Sequence, residues 1–279
     1  LIELIRQRLA SYQVNNALEE EQAIKEILQE VTLYLLWRGQ FFDVAAFQGG
    51  TSLRILHRLP RFSEDLDFIL LQPDVNFGWS KYLQPLLAGL QEFGLESEVL
   101  DRSRMDRNIR EALVKHDSIG AQLNLRFRSP QRSVLKIKLE IDINPPVGSH
   151  FEYRYLDFPL DFEGHQDLPS NFALKIHALL CRPYLKGRDW FDFNWYVKQS
   201  ISPNLALLQA ALHQFGPWRD QAIAVTLPWL AERLNEKIGG IDWERAAEDV
   251  HRFLGTAERE SLRLWGQRFF SAKVAQLVG

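Results

Sequence analysis

The chain holds a single cysteine in 279 residues, Cys181. That excludes an internal disulfide and fits a reducing compartment, so a cytoplasmic location is expected. No Cys/His spacing resembles a zinc site. No apolar run approaches the roughly 18–20 residues of a membrane span, so no membrane association is expected. Positive charge is not in excess: the formal net charge is −3, which excludes an overall basic nucleic-acid binder but not a local basic patch. Internal repeats and low-complexity tracts are absent. The start, Leu1-Ile2-Glu3-Leu4, has no basic region or cleavage site and predicts no signal peptide. It also has no Met, so further residues upstream are expected. No Ser/His/Asp or Cys/His arrangement is discernible, so Cys181, His57, His116, His165 and His177 read as structural or surface residues. What is present is ordinary for a folded protein: 46% hydrophobic and 25% charged residues, enough for one large domain or two small ones.

Periodicity divides the chain in two. Ile24, Ile27, Leu28, Val31 and Leu35 recur at helical spacing, in a helix ending near Gly39. Phe42–Phe47 reads as a short buried strand broken by Gly49-Gly50, and Thr51–Leu59 as a helix leaving that turn. Leu66–Leu71 reads as a strand and Trp79–Phe93 as a helix. The clearest strand follows. Leu135, Ile137, Leu139, Ile141 and Ile143 alternate with Lys136, Lys138, Glu140, Asp142 and Asn144, giving one buried and one polar face, and Pro145-Pro146 ends it. Beyond about residue 168 only helices are expected: Ser170–Arg182, Asp189–Lys198, Leu205–Phe215, a segment around Leu227–Leu234, Trp243–Leu254 and Glu258–Leu277. The fold class is α+β, with an α+β domain over residues 1–165 and a helical domain over 166–279.

The residues with chemical promise begin at Gly49-Gly50. A glycine turn opening a helix presents backbone N–H groups to phosphate, and Thr51 and Ser52 either add hydroxyl donors or cap the helix. Separated from the doublet by fourteen residues, Asp65 and Asp67 form an Asp-x-Asp whose carboxylates share one strand face. Magnesium takes hard oxygen ligands, often one or two carboxylates plus phosphate oxygens. A third carboxylate from the polar face of the alternating strand is either Glu140 or Asp142. Arg54 and Arg61 are either phosphate contacts or solvated arginines. Further on, Lys175 and Arg182 are seven apart and share a helix face with Leu179. On spacing alone Asp189 reads as a helix N-cap. Trp190 and Trp195, among eight tryptophans, read as packing residues.

Gly49-Gly50-Thr51-Ser52-Leu53-Arg54, followed by Arg61-Phe62-Ser63-Glu64-Asp65-Leu66-Asp67-Phe68, closely resembles the AbiEii/AbiGii toxin family. These are nucleotidyltransferases of the DNA polymerase β-like superfamily, to which the MenT toxins are similar. Lys138-Leu139-Glu140-Ile141, Lys175-Ile176-His177-Ala178-Leu179-Leu180 and Lys186-Gly187-Arg188-Asp189-Trp190-Phe191-Asp192 look like later family motifs. The resemblance spans about residues 45–196. Many superfamily members have Gly-Ser where this chain has Gly49-Gly50, which puts the hydroxyl contact in doubt more than the aspartates.

The resemblance implies a polymerase β-like mixed sheet with flanking helices, followed by an all-helical domain. It implies Asp65 and Asp67 as metal ligands for Mg2+ or Mn2+, with Glu140 matching the strand motif better than Asp142. It makes Lys175 a contact to the phosphates of a nucleoside triphosphate (NTP) and Asp189 a further essential acid. The expected activity is transfer of a nucleoside monophosphate from an NTP to an acceptor hydroxyl, with the 3′ end of tRNA as acceptor. The expected setting is a toxin–antitoxin or abortive-infection system with a cognate antitoxin. A small-molecule (antibiotic) nucleotidyltransferase and a non-catalytic nucleotide- or RNA-binding protein are the alternatives. Residues 101–138 carry ten Lys/Arg against four acids. That is either a basic surface for RNA or scattered charge in a loop-rich segment.

Overall fold

The computed structural model describes residues 1–116, 123, 125, 127, 134–159 and 161–279, without the side chains of 161–163. The chain divides into two compact units, one of residues 1–57, 62–145 and 153–165, the other of 58–61, 146–152 and 166–279.

The first unit opens with helix α1 (Ile2–Ala10) and the long helix α2 (Ala17–Arg38). The side chain of Asn16 starts α2 by accepting from the Glu19 amide at 2.9 Å, satisfying one of the orphan donors of the first turn. Strand β1 (Ala45–Gln48) runs into α3 (Gly49–His57), β2 (Leu66–Leu70) and α4 (Ser80–Glu92). The strands β3 (Ser97–Asp101), β4 (Ile109–His116), β5 (Leu135–Asp142), β6 (Phe151–Leu156) and β7 (Asp161–Gln166) follow. They form a mixed seven-stranded sheet in the order β3-β4-β5-β2-β1-β7-β6. The middle of this sheet positions the site: β2 lies between β1, to which it is antiparallel, and β5, to which it is parallel. One face of the sheet is dry. Ile24, Ile27, Leu28 and Val31 of α2 join Leu66, Phe68, Ile137, Leu139 and Ile141 in a single core. Phe41, Phe77, Trp79 and Tyr82 extend it as an aromatic cluster, with Phe41 stacked on Trp79 at 5.5 Å.

The second unit carries helices α5 (Leu168–Cys181), α6 (Gly187–Lys198), α7 (Leu205–Gln214), α8 (Leu227–Gly239), α9 (Trp243–His251), α10 (Thr256–Ser261) and α11 (Gln267–Val278). Asp167, Asn204, Thr226 and Asp242 cap four of them through their side chains. Trp190 packs edge-on against Phe193, Trp243 and Phe270.

Three expectations need correction. The early strand begins at Ala45, because Phe41–Asp43 form a 3-10 turn. Helix α3 includes the glycine doublet rather than following it. The long last helix is two, separated by Trp265 in an extended conformation, which turns its ring onto Phe270 at 5.2 Å.

Candidate functional site

In the first unit, the turn from β1 into α3 is built around Asp67. Gly49 has φ +78°, and a Cβ there would fall 2.5 Å from Asp67 Oδ2. A side chain at this position is therefore excluded twice, by backbone conformation and by the carboxylate pressed against it. Thr51 and Ser52 are buried. The Thr51 hydroxyl donates to the backbone carbonyl of Asp65, and Ser52 Oγ donates to the Gly49 carbonyl at 2.9 Å. Ser52 thus braces the turn itself, and Thr51 ties it to Asp65, fourteen residues away in sequence.

The register of the sheet decides between the two candidate third carboxylates. Asp67 pairs with Glu140 and Ile69 with Asp142 on parallel strands, and laterally paired residues face the same side of a sheet. Glu140 therefore stands beside Asp67, whereas Asp142 is two residues further along. Asp142 also accepts the Asn144 amide at 2.9 Å, and burial raises its carboxyl pKa. On the next strand Glu111 pairs with Glu140, so Glu111, Glu140 and Asp67 form one lateral row across β4, β5 and β2. Glu111 carried no sequence signal, because its place in the row depends on pairing between strands. Asp65 lies one residue ahead of β2.

Among the described residues no group of three or more His, Cys, Asp or Glu is close enough to hold a metal. The donor set nevertheless fits a hard divalent cation. Magnesium is commonly held by one or two carboxylates, with phosphate oxygens and water filling the remaining positions. Asp67 and Glu140, with Asp65 nearby in sequence, supply such oxygens.

The two candidate arginines around the motif are paired with carboxylates of the protein. Arg54 Nε reaches Glu26 Oε2 at 2.6 Å, and its guanidinium lies over Phe62 at 4.4 Å. Arg61 belongs to the second unit and is buried against Asp192, with Nε–Oδ1 and Nη2–Oδ2 both 2.7 Å. Part of the basic segment is committed as well. Arg110 is buried and donates to the carbonyls of Arg104, Arg107 and Val75, and Lys115 pairs with Glu98 at 2.7 Å. Arg126, Arg128, Arg132 and Asp117 lie outside the described residues.

In the second unit, α5 and α6 hold a buried charge network. Lys175 Nζ lies 2.8 Å from Asp189 Oδ1 and 3.0 Å from Asp192 Oδ2, and Arg182 pairs with Asp189 Oδ2. With Arg61 the network sets three cations against two carboxylates. Burial alone would raise the Asp189 pKa, but Lys175, Arg182 and Lys186 pull it down to about 2. Burial opposes the charge on Lys175, and Asp189 and Asp192 overcome it, raising its pKa. Asp189 is not the helix cap that its spacing suggests. Lys186 occupies that position, and the Asp189 side chain turns to Lys175 and Arg182. Asp192, three residues on, is the partner that sequence reasoning missed.

The histidines and the cysteine form no nucleophilic arrangement. His177 Nε2 meets the Phe215 carbonyl at 2.9 Å, and burial pushes the Cys181 thiol up to about 11. His116 hydrogen-bonds Ser97 at 2.8 Å, and burial lowers it to about 4.

An α+β sheet with a carboxylate row beside a glycine turn is the arrangement expected of a nucleotidyltransferase. The family model described as nucleotidyl transferase AbiEii toxin, type IV toxin–antitoxin system, matches residues 32–268, and the chain belongs to this family. The class of enzyme is thus a nucleotidyltransferase, and the family implies an NTP substrate and an antitoxin partner. Nucleotidyltransferases of this family in general use a divalent metal. No curated protein matches the chain. Two solved structures from Helicobacter pylori are similar over most of their length. JHP933 has a TM-score of 0.49 and 17% identity, with 93% of this chain and 90% of that one covered. A protein described as a candidate nucleotidyltransferase has a TM-score of 0.47 and 16% identity, with 90% and 94% covered. Among the described residues no helix is long and apolar enough to cross a membrane.

Proposed function

We propose that the protein transfers a nucleoside monophosphate from an NTP to an acceptor hydroxyl, with the 3′ end of tRNA as acceptor, and that it acts as a toxin in the cytoplasm. The observation that carries this reading is the placement of Asp67 against the Gly49 turn and level with Glu140 on the parallel neighbour. It brings a glycine turn and two carboxylates together on the sheet, which supports a phosphate and metal site there.

In this reading the acceptor oxygen attacks the α-phosphate, a new phosphoester bond forms, and the bond to the β-phosphate breaks to release pyrophosphate. The N-terminal backbone of α3 at Gly49 and Gly50 receives phosphate through N–H groups and the helix dipole. Thr51 and Ser52 act indirectly, by fixing that backbone and the Asp65 carbonyl. Asp65, Asp67 and Glu140 would hold Mg2+ or Mn2+. A metal held there would supply stabilisation of the charge developing on the phosphate and would favour deprotonation of the acceptor. Positioning and electrostatics account for most of the acceleration in phosphoryl transfer. In the second unit Lys175 is the phosphate-contacting cation. Asp189 and Asp192 keep its ammonium charged and oriented.

The test is incubation with each α-labelled NTP, Mg2+ or Mn2+ and total tRNA. Transfer of label to tRNA by the protein, and not by Asp67→Asn, is the expected result. Transfer to small hydroxyl compounds such as aminoglycosides, with none to tRNA, would replace the acceptor. No transfer to either by folded protein would end the reading.

A further inference from the structure

Lys138 sits in the midst of the carboxylates assigned above. Its Nζ lies 2.6 Å from Glu140 Oε1 and 3.5 Å from Glu111 Oε2. The location has a clear physical cause. Glu111, Glu140 and Asp67 are lateral neighbours on three strands, and like charges directly opposite one another across a sheet repel. Lys138 is on the same polar face of β5 as Glu140, two residues before it. Its ammonium reaches back to the row and neutralises part of the repulsion.

Taken alone, a partly exposed ion pair of this kind contributes little to stability. Geometry says more. The Glu140 oxygen bonded by Lys138 belongs to the carboxylate that stands level with Asp67. A cation approaching Asp67 and Glu140 meets one carboxylate already engaged and a positive charge beside it.

We propose that Lys138 is a resident counter-ion that competes with the divalent cation for Glu140, so that it sets the metal affinity of the protein. It is a positioning residue acting through Glu140. Glu111 supports it by providing a second carboxylate to which the ammonium can move when Glu140 is taken. The inference rests on the reading of Asp67 and Glu140 as metal-holding.

Binding of Mn2+ to the full chain without nucleotide, followed by electron paramagnetic resonance and by calorimetry, tests it. Lys138→Met is expected to bind Mn2+ about tenfold more tightly than wild type, since one unit charge is removed beside a divalent ion. Lys138→Arg, which keeps the charge, is expected to bind within about threefold of wild type. Thermal melting confirms that each variant is folded, and Lys138→Gln replaces Lys138→Met if the latter is not. If wild type binds Mn2+ and Asp67→Asn weakens it, but removing the Lys138 charge leaves affinity unchanged or lower, the role of Lys138 is overturned and the metal reading stands. If wild type, the Lys138 variants and Asp67→Asn all bind Mn2+ alike, both fall.

Discussion

The two units handle charge in opposite ways. In the first, acids are lined up on one face of a sheet, partly exposed and set side by side, with Lys138 among them. Their mutual repulsion is an electrostatic cost that Lys138 relieves in part and a bound cation would relieve further. In the second, Asp189 and Asp192 are buried and fully engaged by Lys175, Arg182 and Arg61. Buried charges persist only when paired and hydrogen-bonded. The first arrangement is suited to accept a cation and the second to keep Lys175 charged and fixed. Two pairs of closely spaced aspartates, Asp65/Asp67 and Asp189/Asp192, thus sit in different electrostatic settings.

The comparison can be broken by exchanging the expected effects. Asp192→Ala removes a fully buried carboxylate from between Arg61 and Lys175, and is expected to cost about 3–5 kcal/mol of stability, measured by denaturant unfolding. A loss below about 1 kcal/mol would mean that the network is not what holds this unit together. Asp67→Asn should do the reverse. Label transfer is expected to fall by about 10²–10³-fold or more, with a change in stability near 0.5 kcal/mol. Severe unfolding there would make Asp67 a structural residue.

Acid titration should single out the second unit. The Asp189 carboxyl lies below its ordinary 3.8, at about 2 in the folded protein. Its contribution is therefore complete above the unfolded value and is lost as pH falls from about 4 through 2. The loss amounts to about 2 kcal/mol. Asp189→Asn should flatten that part of the acid-unfolding curve, and an unchanged curve would contradict the assignment. The smallest expected effect is Arg54→Met, which removes the partly exposed pair with Glu26 in the first unit. About 0.5–1 kcal/mol of stability should be lost, with label transfer within about twofold of wild type. A large loss of transfer would return Arg54 to the phosphate contacts.

Much of the fold was legible because it is written locally. Long helices such as α2 and α5 repeat apolar residues every three to four positions, and β5 alternates strictly over its length. Other strands were hidden by what they bury. The inward face of β4 is Arg110, Ala112, Val114 and His116. A buried arginine bonded to three carbonyls erases the apolar alternation that would announce a strand. β6 is mostly exposed at the sheet edge and has no buried face to show. In the second unit, Asp189 had the spacing of a cap, but a side chain with two cations in reach has a better partner than a backbone amide.

The sequence by itself determined the units of local order: a glycine where φ must be positive, two aspartates a residue apart, a strand with a polar and an apolar face, and helices with their caps. These follow from steric rules and from the fixed periods of strand and helix. The tertiary structure alone decided which of Glu140 and Asp142 stands beside Asp67, that Lys138 and Glu111 share that row, and that Arg61 meets Asp192 from 131 residues away. Each of these depends on strand register or on packing between distant segments. The energy that sets such a contact is shared among the many residues of the core and is not carried by the few residues that meet.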